Sequence, residues 1–99
     1  MTARMLVAAL AFTAAALHAQ DNPAARSLAA TCASCHGTDG RSATKEVASL
    51  TGLPKDYLVT QMKAFRDGSR TGTIMPQLAK GYSDAQIEFL ADYLSRRPR

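Results

Sequence analysis

Cys32-Ala33-Ser34-Cys35-His36 contains both cysteines of the chain and its only histidine besides His18. Two thiols three residues apart, with an imidazole next in line, make a c-type haem attachment pattern. Each sulfur can add to a haem vinyl group, and a ring nitrogen of His36 can ligate the iron from one side. The other readings of a Cys-x-x-Cys pair are a thioredoxin-like redox disulfide, half of a zinc site and a small structural staple. A zinc site takes four ligands, and two cysteines with one further histidine do not supply the usual set. A thioredoxin-like site sits among strands, and no stretch here alternates apolar and polar residues as a half-buried strand does. The residues favour one covalently attached haem c.

The far side of such an iron needs a ligand or stays open. His18 falls in an N-terminal stretch that reads as a secretory leader: Arg4 is a positive start, Met5 to Leu17 is an apolar run, and Ala14, Ala16 and Ala19 offer processing sites. With residues 1–19 removed, Met62 and Met75 are the natural candidates. Met62 shares a helical stripe with Leu58 and Phe65, where methionine is usually core filler. Met75 lies outside any stripe, and the following Pro76 biases it towards an extended loop conformation. Met75 is therefore the expected second ligand. A His/Met pair closes the coordination sphere and raises the potential, which suits outer-sphere electron transfer. An open, substrate-binding haem needs distal acid-base groups, and residues 20–99 hold no second histidine.

Three main helices must position these groups. Asp21 or Asn22 caps a first helix with Pro23 at its first position, expected to run to about Ser34. Leu28, Cys32 and Cys35 then share one face, and Ala25, Ala29 and Ala33 give a low side against which another helix can lie. Gly37 ends this helix and Thr38-Asp39-Gly40 is turn chemistry. Residues 41–52 have no period and read as an irregular loop, with Val47, Leu50 and Leu53 as haem-facing candidates. A second helix, from near Pro54 to about Arg66, carries the stripe Tyr57, Leu58, Gln61, Met62 and Phe65, with Lys55, Lys63 and Arg66 in solvent. One helical turn follows Met75-Pro76. The last helix starts at a capping box of Ser83 and Gln86 and buries Ile87, Leu90, Ala91 and Leu94, with Phe89 and Tyr93 on an adjoining face.

Length and charge bound the rest. The chain has 99 residues, and cleavage near Ala19 leaves roughly 80, a size at which a hydrophobic core alone gives thin stability. Loss of Arg4, the one residue of the leader counted as charged, lowers the formal charge from +4 to +3. No basic run is interleaved with aromatics, so nucleic-acid binding is not expected. Arg96-Arg97-Pro98-Arg99 reads as a frayed, solvated tail. No stretch beyond the leader reaches the ~20 apolar residues of a membrane span, so stable insertion after cleavage is not expected.

Residues 20–99 as a whole resemble class I c-type cytochromes, on the capped first helix ending in Cys32-Ala33-Ser34-Cys35-His36-Gly37, the Met75 loop, and Ile87-x-x-Leu90-Ala91-x-Tyr93. The resemblance implies an all-α fold of three main helices plus a short turn wrapped around one covalently attached haem. It implies a close crossing that sets Ala25 and Ala29 against Phe89, Leu90 and Tyr93, and haem attachment outside the bacterial plasma membrane, hence a periplasmic protein. Relatives often have proline at the position of Ala48, where the carbonyl accepts a hydrogen bond from the ligating histidine. Ala48 keeps that carbonyl in a less rigid loop.

A narrower similarity, to the haem subunit of flavocytochrome c sulfide dehydrogenases, rests on three stretches. These are Cys-His-Gly-Thr-Asp-Gly at 35–40, Gln-Met-Lys-Ala-Phe-Arg-Asp-Gly-Ser-Arg at 61–70, and Leu-Ala-Lys-Gly-Tyr-Ser-Asp at 78–84 after Met75. Two-haem periplasmic cytochromes share much of the pattern, whereas this chain has a single attachment motif. The similarity implies an electron-transfer protein that works with redox partners, an FAD-containing flavoprotein subunit among them. The alternative is a freely diffusing carrier serving a terminal oxidase or reaction centre, with Lys63, Arg66, Arg70 and Lys80 as a docking rim. Arg70 and Gln61 are candidate propionate partners.

Overall fold

The computed structural model describes residues 22–99; the leader lies outside them. Asn22, extended, accepts hydrogen bonds from the amides of Ala24 and Ala25 at 3.0 and 3.5 Å, and Pro23 fills the first helical position of α1 (Pro23–Ala30). The helix ends four residues before the expected Ser34. The Thr31 hydroxyl donates to the Leu28 carbonyl at 2.7 Å, while the amides of Thr31 and Cys32 reach back only three residues, to Leu28 and Ala29. This tighter bonding interrupts the α pattern. A second piece, α2 (Ala33–His36), resumes after Cys32. Both cysteines stay on one turn, because the His36 amide donates to the Cys32 carbonyl at 2.9 Å.

A 3-10 turn, Thr38–Gly40, leads into the irregular loop, followed by α3 (Lys55–Asp67), α4 (Met75–Ala79) and α5 (Asp84–Ser95). Helix α3 stops at Gly68, which is left-handed at φ 88°, and the amides of Gly68 and Arg70 both donate to the Ala64 carbonyl at 3.1 Å. The capping box of α5 forms as expected: Ser83 Oγ accepts from the Gln86 amide at 3.1 Å and Gln86 Oε1 accepts from the Ser83 amide at 2.9 Å.

Helix α5 is the centre of the packing, with α1 and α3 against it and α4 on α3. Ala25, Ala29, Leu58, Leu90, Ala91, Tyr93 and Leu94 form one buried cluster, and Leu28, Cys32, Leu50, Leu53 and Val59 sit half-buried beside it. The alanines of α1 lie in this cluster with Leu90 and Tyr93, as expected of a close crossing. Phe89 departs from that expectation and is 38% exposed, since the 100° helical step carries it away from the face of Ile87, Leu90 and Leu94. Tyr57, beside buried Leu58, is likewise exposed.

Two further expectations need correction. Met75 is not extended: it is the first residue of α4, with Pro76 second, where a missing amide hydrogen costs no helical bond. Arg66 is not simply solvated. Its guanidinium donates to the Tyr82 carbonyl at 3.1 Å and forms an ion pair with Asp84, tying α3 to the start of α5. Lys55 and Glu88, 3.4 Å apart, make a second link between these helices.

Hydrogen bonding from Arg66 and its charge, with Lys63 adding, hold the Asp84 carboxyl below the usual carboxylate range. A depressed folded-state pKa contributes stability above the unfolded value and loses it as pH falls through the folded one. Arg66→Ala is therefore expected to lower the melting temperature at neutral pH, with the gap to wild type narrowing as the pH drops below the ordinary aspartate range. Thermal melts across that pH range check this.

Candidate functional site

The site is built on the break between α1 and α2. Cys32, half-buried, stands at the head of α2, Cys35 is exposed, and both are free thiols. Burial pushes the Cys32 thiol up. The Thr31 hydroxyl, 3.9 Å from its sulfur, partly offsets this, and neighbouring Cys35 adds to the rise. Thr31 is fixed in turn by a 2.8 Å hydrogen bond with the Tyr82 hydroxyl.

His36 closes the turn. Its Nδ1 lies 2.6 Å from the Ala48 carbonyl oxygen. A carbonyl can only accept, so Nδ1 carries the proton, and in the neutral ring the lone pair available to a metal is then on Nε2. The acceptor is therefore the one implied for Ala48. Chain direction at this point depends on Gly37, at φ 87°: a Cβ there would sit 1.8 Å from the Arg41 carbonyl oxygen. Buried Gly40, at φ 81°, comes so close to α5 that its Cβ would be 3.0 Å from Leu94 Cδ2. Asp39 accepts from the Tyr93 hydroxyl at 3.2 Å. The segment after His36 is thereby moored to the last helix.

Among the described residues no group of three or more His, Cys, Asp or Glu side chains converges, so the zinc reading lacks a ligand set. Two free thiols on one turn and one imidazole of fixed tautomer fit the donor set of haem c. A cavity of about 590 Å³ adjoins this turn, with Ala33, Gly37, Arg41, Thr51 and Arg97 in its wall, and neither cysteine nor His36 lines it.

Met75 is carried by a different packing unit. Helix α4 lies on α3, whereas α2 lies on α1 and the 3-10 turn. Met75 and Met62 are both half-buried, while Ile74 and Leu78, flanking Met75, are 61% and 50% exposed. Arg70 and Gln61, proposed from sequence as propionate partners, bond to each other at 2.5 Å, and Arg70 stacks 4.6 Å over the Phe65 ring.

The C-terminal arginines have a role that no periodicity in the sequence signals, because their partners are distant along the chain. Arg41 Nη2 donates to the Pro98 carbonyl at 3.1 Å, Arg99 reaches the Gly52 carbonyl at 3.4 Å, and Arg97 stacks 4.3 Å over Tyr93. The tail is folded back onto the loop rather than frayed.

These features define an all-α class I cytochrome c fold. Residues 19–94 match the family model described as Cytochrome C oxidase, cbb3-type, subunit III, and the chain belongs to that cytochrome c family. It is 42% identical over 66 residues to the cytochrome subunit of sulfide dehydrogenase of Chlorobaculum tepidum, covering 67% of this chain and 59% of the relative. It is 43% identical over 68 residues to cytochrome c-554(548) of Halomonas halodenitrificans, covering 66% of this chain and 82% of the relative. The solved structure of Acidithiobacillus ferrooxidans cytochrome c4 matches with a TM-score of 0.62 and 38% identity, over 65% of this chain and 37% of that one. The chain thus spans 59% of the first relative and about a third of the c4 chain. Membership of a cytochrome c family implies haem c and supports a part in electron transfer. No helix of the described residues is long and apolar enough to cross a membrane.

Gly37→Ala tests the turn that aims His36. At φ 87° and ψ 164° Gly37 lies in a region open essentially to glycine alone, which costs a residue with a Cβ about 1–3 kcal/mol, and the overlap with the Arg41 carbonyl adds to that. Urea unfolding of the variant is expected to show a loss of at least about 2 kcal/mol.

Proposed function

We propose that this protein is a periplasmic electron carrier with one haem c, bound through thioethers to Cys32 and Cys35 and ligated by His36 and Met75. We further propose that it receives electrons from a flavoprotein sulfide dehydrogenase. The observation that carries the haem assignment is the His36 Nδ1 contact to the Ala48 carbonyl at 2.6 Å, on the same turn as two free thiols. When bound, the haem supplies a one-electron iron centre. The chain's own part is to hold the imidazole in one tautomer and to present the thiols at fixed spacing, with Leu50, Leu53 and Val59 half-buried against the same apolar cluster as Cys32. Met75 is preferred over Met62 because it opens a short helix beside exposed Ile74, whereas Met62 lies within α3.

The partner assignment rests on similarity to a protein named as the cytochrome subunit of sulfide dehydrogenase. A freely diffusing carrier is the second reading, favoured by the 82% coverage of a relative named simply as a cytochrome c. Two of the basic groups of a docking rim, Arg66 and Arg70, are already engaged within the chain, which weakens a purely electrostatic form of it.

Met75→Ala is expected to abolish the methionine–iron charge-transfer band of the oxidised protein, with Met62→Ala leaving it intact. The reverse result removes the ligand assignment. Copurification with a flavin-containing chain that reduces this protein on addition of sulfide supports the partner reading, and a monomer inert to such a chain eliminates it.

A further inference from the structure

The loop that supplies the Ala48 carbonyl is a weak place for so specific a task. Residues 43–46, 48 and 49 are exposed, and residues 41–50 contain no helix. Exposed, irregular backbone with few buried groups opens readily, so something must hold Ala48 where His36 needs it. The ends of the loop are secured from outside: the Leu50 amide donates to the Gly40 carbonyl at 2.7 Å, the Gly52 amide to the Leu94 carbonyl at 3.1 Å, and Arg41 to the Pro98 carbonyl at 3.1 Å. Within the loop, the bond next to Ala48 is different in kind. The Ser42 amide donates to Ser49 Oγ at 2.9 Å, so a side-chain hydroxyl stitches the two arms together one residue from the carbonyl in question.

We infer that Ser49 is a positioning residue for the axial imidazole. Its hydroxyl holds the two arms of the loop together and so keeps the Ala48 carbonyl on the Nδ1 proton of His36. This rests on His36 being the iron ligand. A ligating histidine whose second nitrogen donates to a fixed acceptor is more basic and held in one orientation. A more basic imidazole favours the oxidised iron, so loosening the acceptor shifts the midpoint potential upward.

The interaction uses the hydroxyl of Ser49 but only the backbone amide of Ser42, whose own hydroxyl donates to the Thr44 carbonyl at 2.9 Å. That asymmetry gives the test, made on the haem-loaded protein by redox titration and by proton NMR of the His36 ring. Ser49→Ala is expected to shift the midpoint upward, to move the iron-shifted ring resonances and to speed solvent exchange of the Nδ1 proton. Ser49→Thr, which keeps the hydroxyl, is expected to restore all three, and Ser42→Ala to leave them unchanged. Wild-type values in Ser49→Ala, or a Ser42→Ala shift as large as that of Ser49→Ala, would overturn the inference while leaving His36 as ligand. If the wild-type protein shows no iron-shifted His36 ring signals, the ligand reading fails and this inference with it.

Discussion

The hydrogen bond from His36 Nδ1 to the Ala48 carbonyl is the constraint on which the rest of the site depends. It fixes the tautomer, and with it which ring nitrogen can meet a metal. It also couples two parts of the chain with opposite characters, a helical turn carrying the thiols and an exposed loop without regular structure. The site functions only if both are held, and most of the tertiary links near it serve that purpose. Asp39 to Tyr93, Gly52 to Leu94 and Arg41 to Pro98 all run from the segment after His36 to α5 or the residues beyond it.

Helix α5 can act as this anchor because its own start is so well defined. The Ser83 and Gln86 box satisfies orphan amides at its N-terminus, and Arg66 brings α3 to the same point. Along its length it buries Ile87, Leu90, Ala91, Tyr93 and Leu94. Small residues at Ala25 and Ala29 complete the buried cluster from α1. A larger side chain at either alanine would push α1 outward, and the cysteine turn with it. Packing between the first and last helices and the geometry of the haem turn are therefore one problem.

Much of this was legible in the sequence where the signal is local. The Cys32-to-His36 pattern, the Asn22-Pro23 start and the Ser83 cap each depend on residues within a few positions of one another, and the expected element order of helices holds. Failures came where a through-space partner decides the outcome. Thr31 reads as an ordinary helical residue until its hydroxyl takes the Leu28 carbonyl. Arg97 to Arg99 read as tail until Tyr93, Gly52 and Arg41 come near them. Met75 departs for a different reason: the bias that Pro76 places on the residue before it is outweighed, because proline is well suited to the first turn of a helix.

The single haem proposed to be held covalently by Cys32 and Cys35 is open to direct test by mass spectrometry of the purified protein under denaturing conditions. The expected spectrum shows the chain carrying the mass of one haem, with the added mass confined to the peptide that contains both cysteines. A chain of unmodified mass, with any haem released on denaturation, would contradict the account.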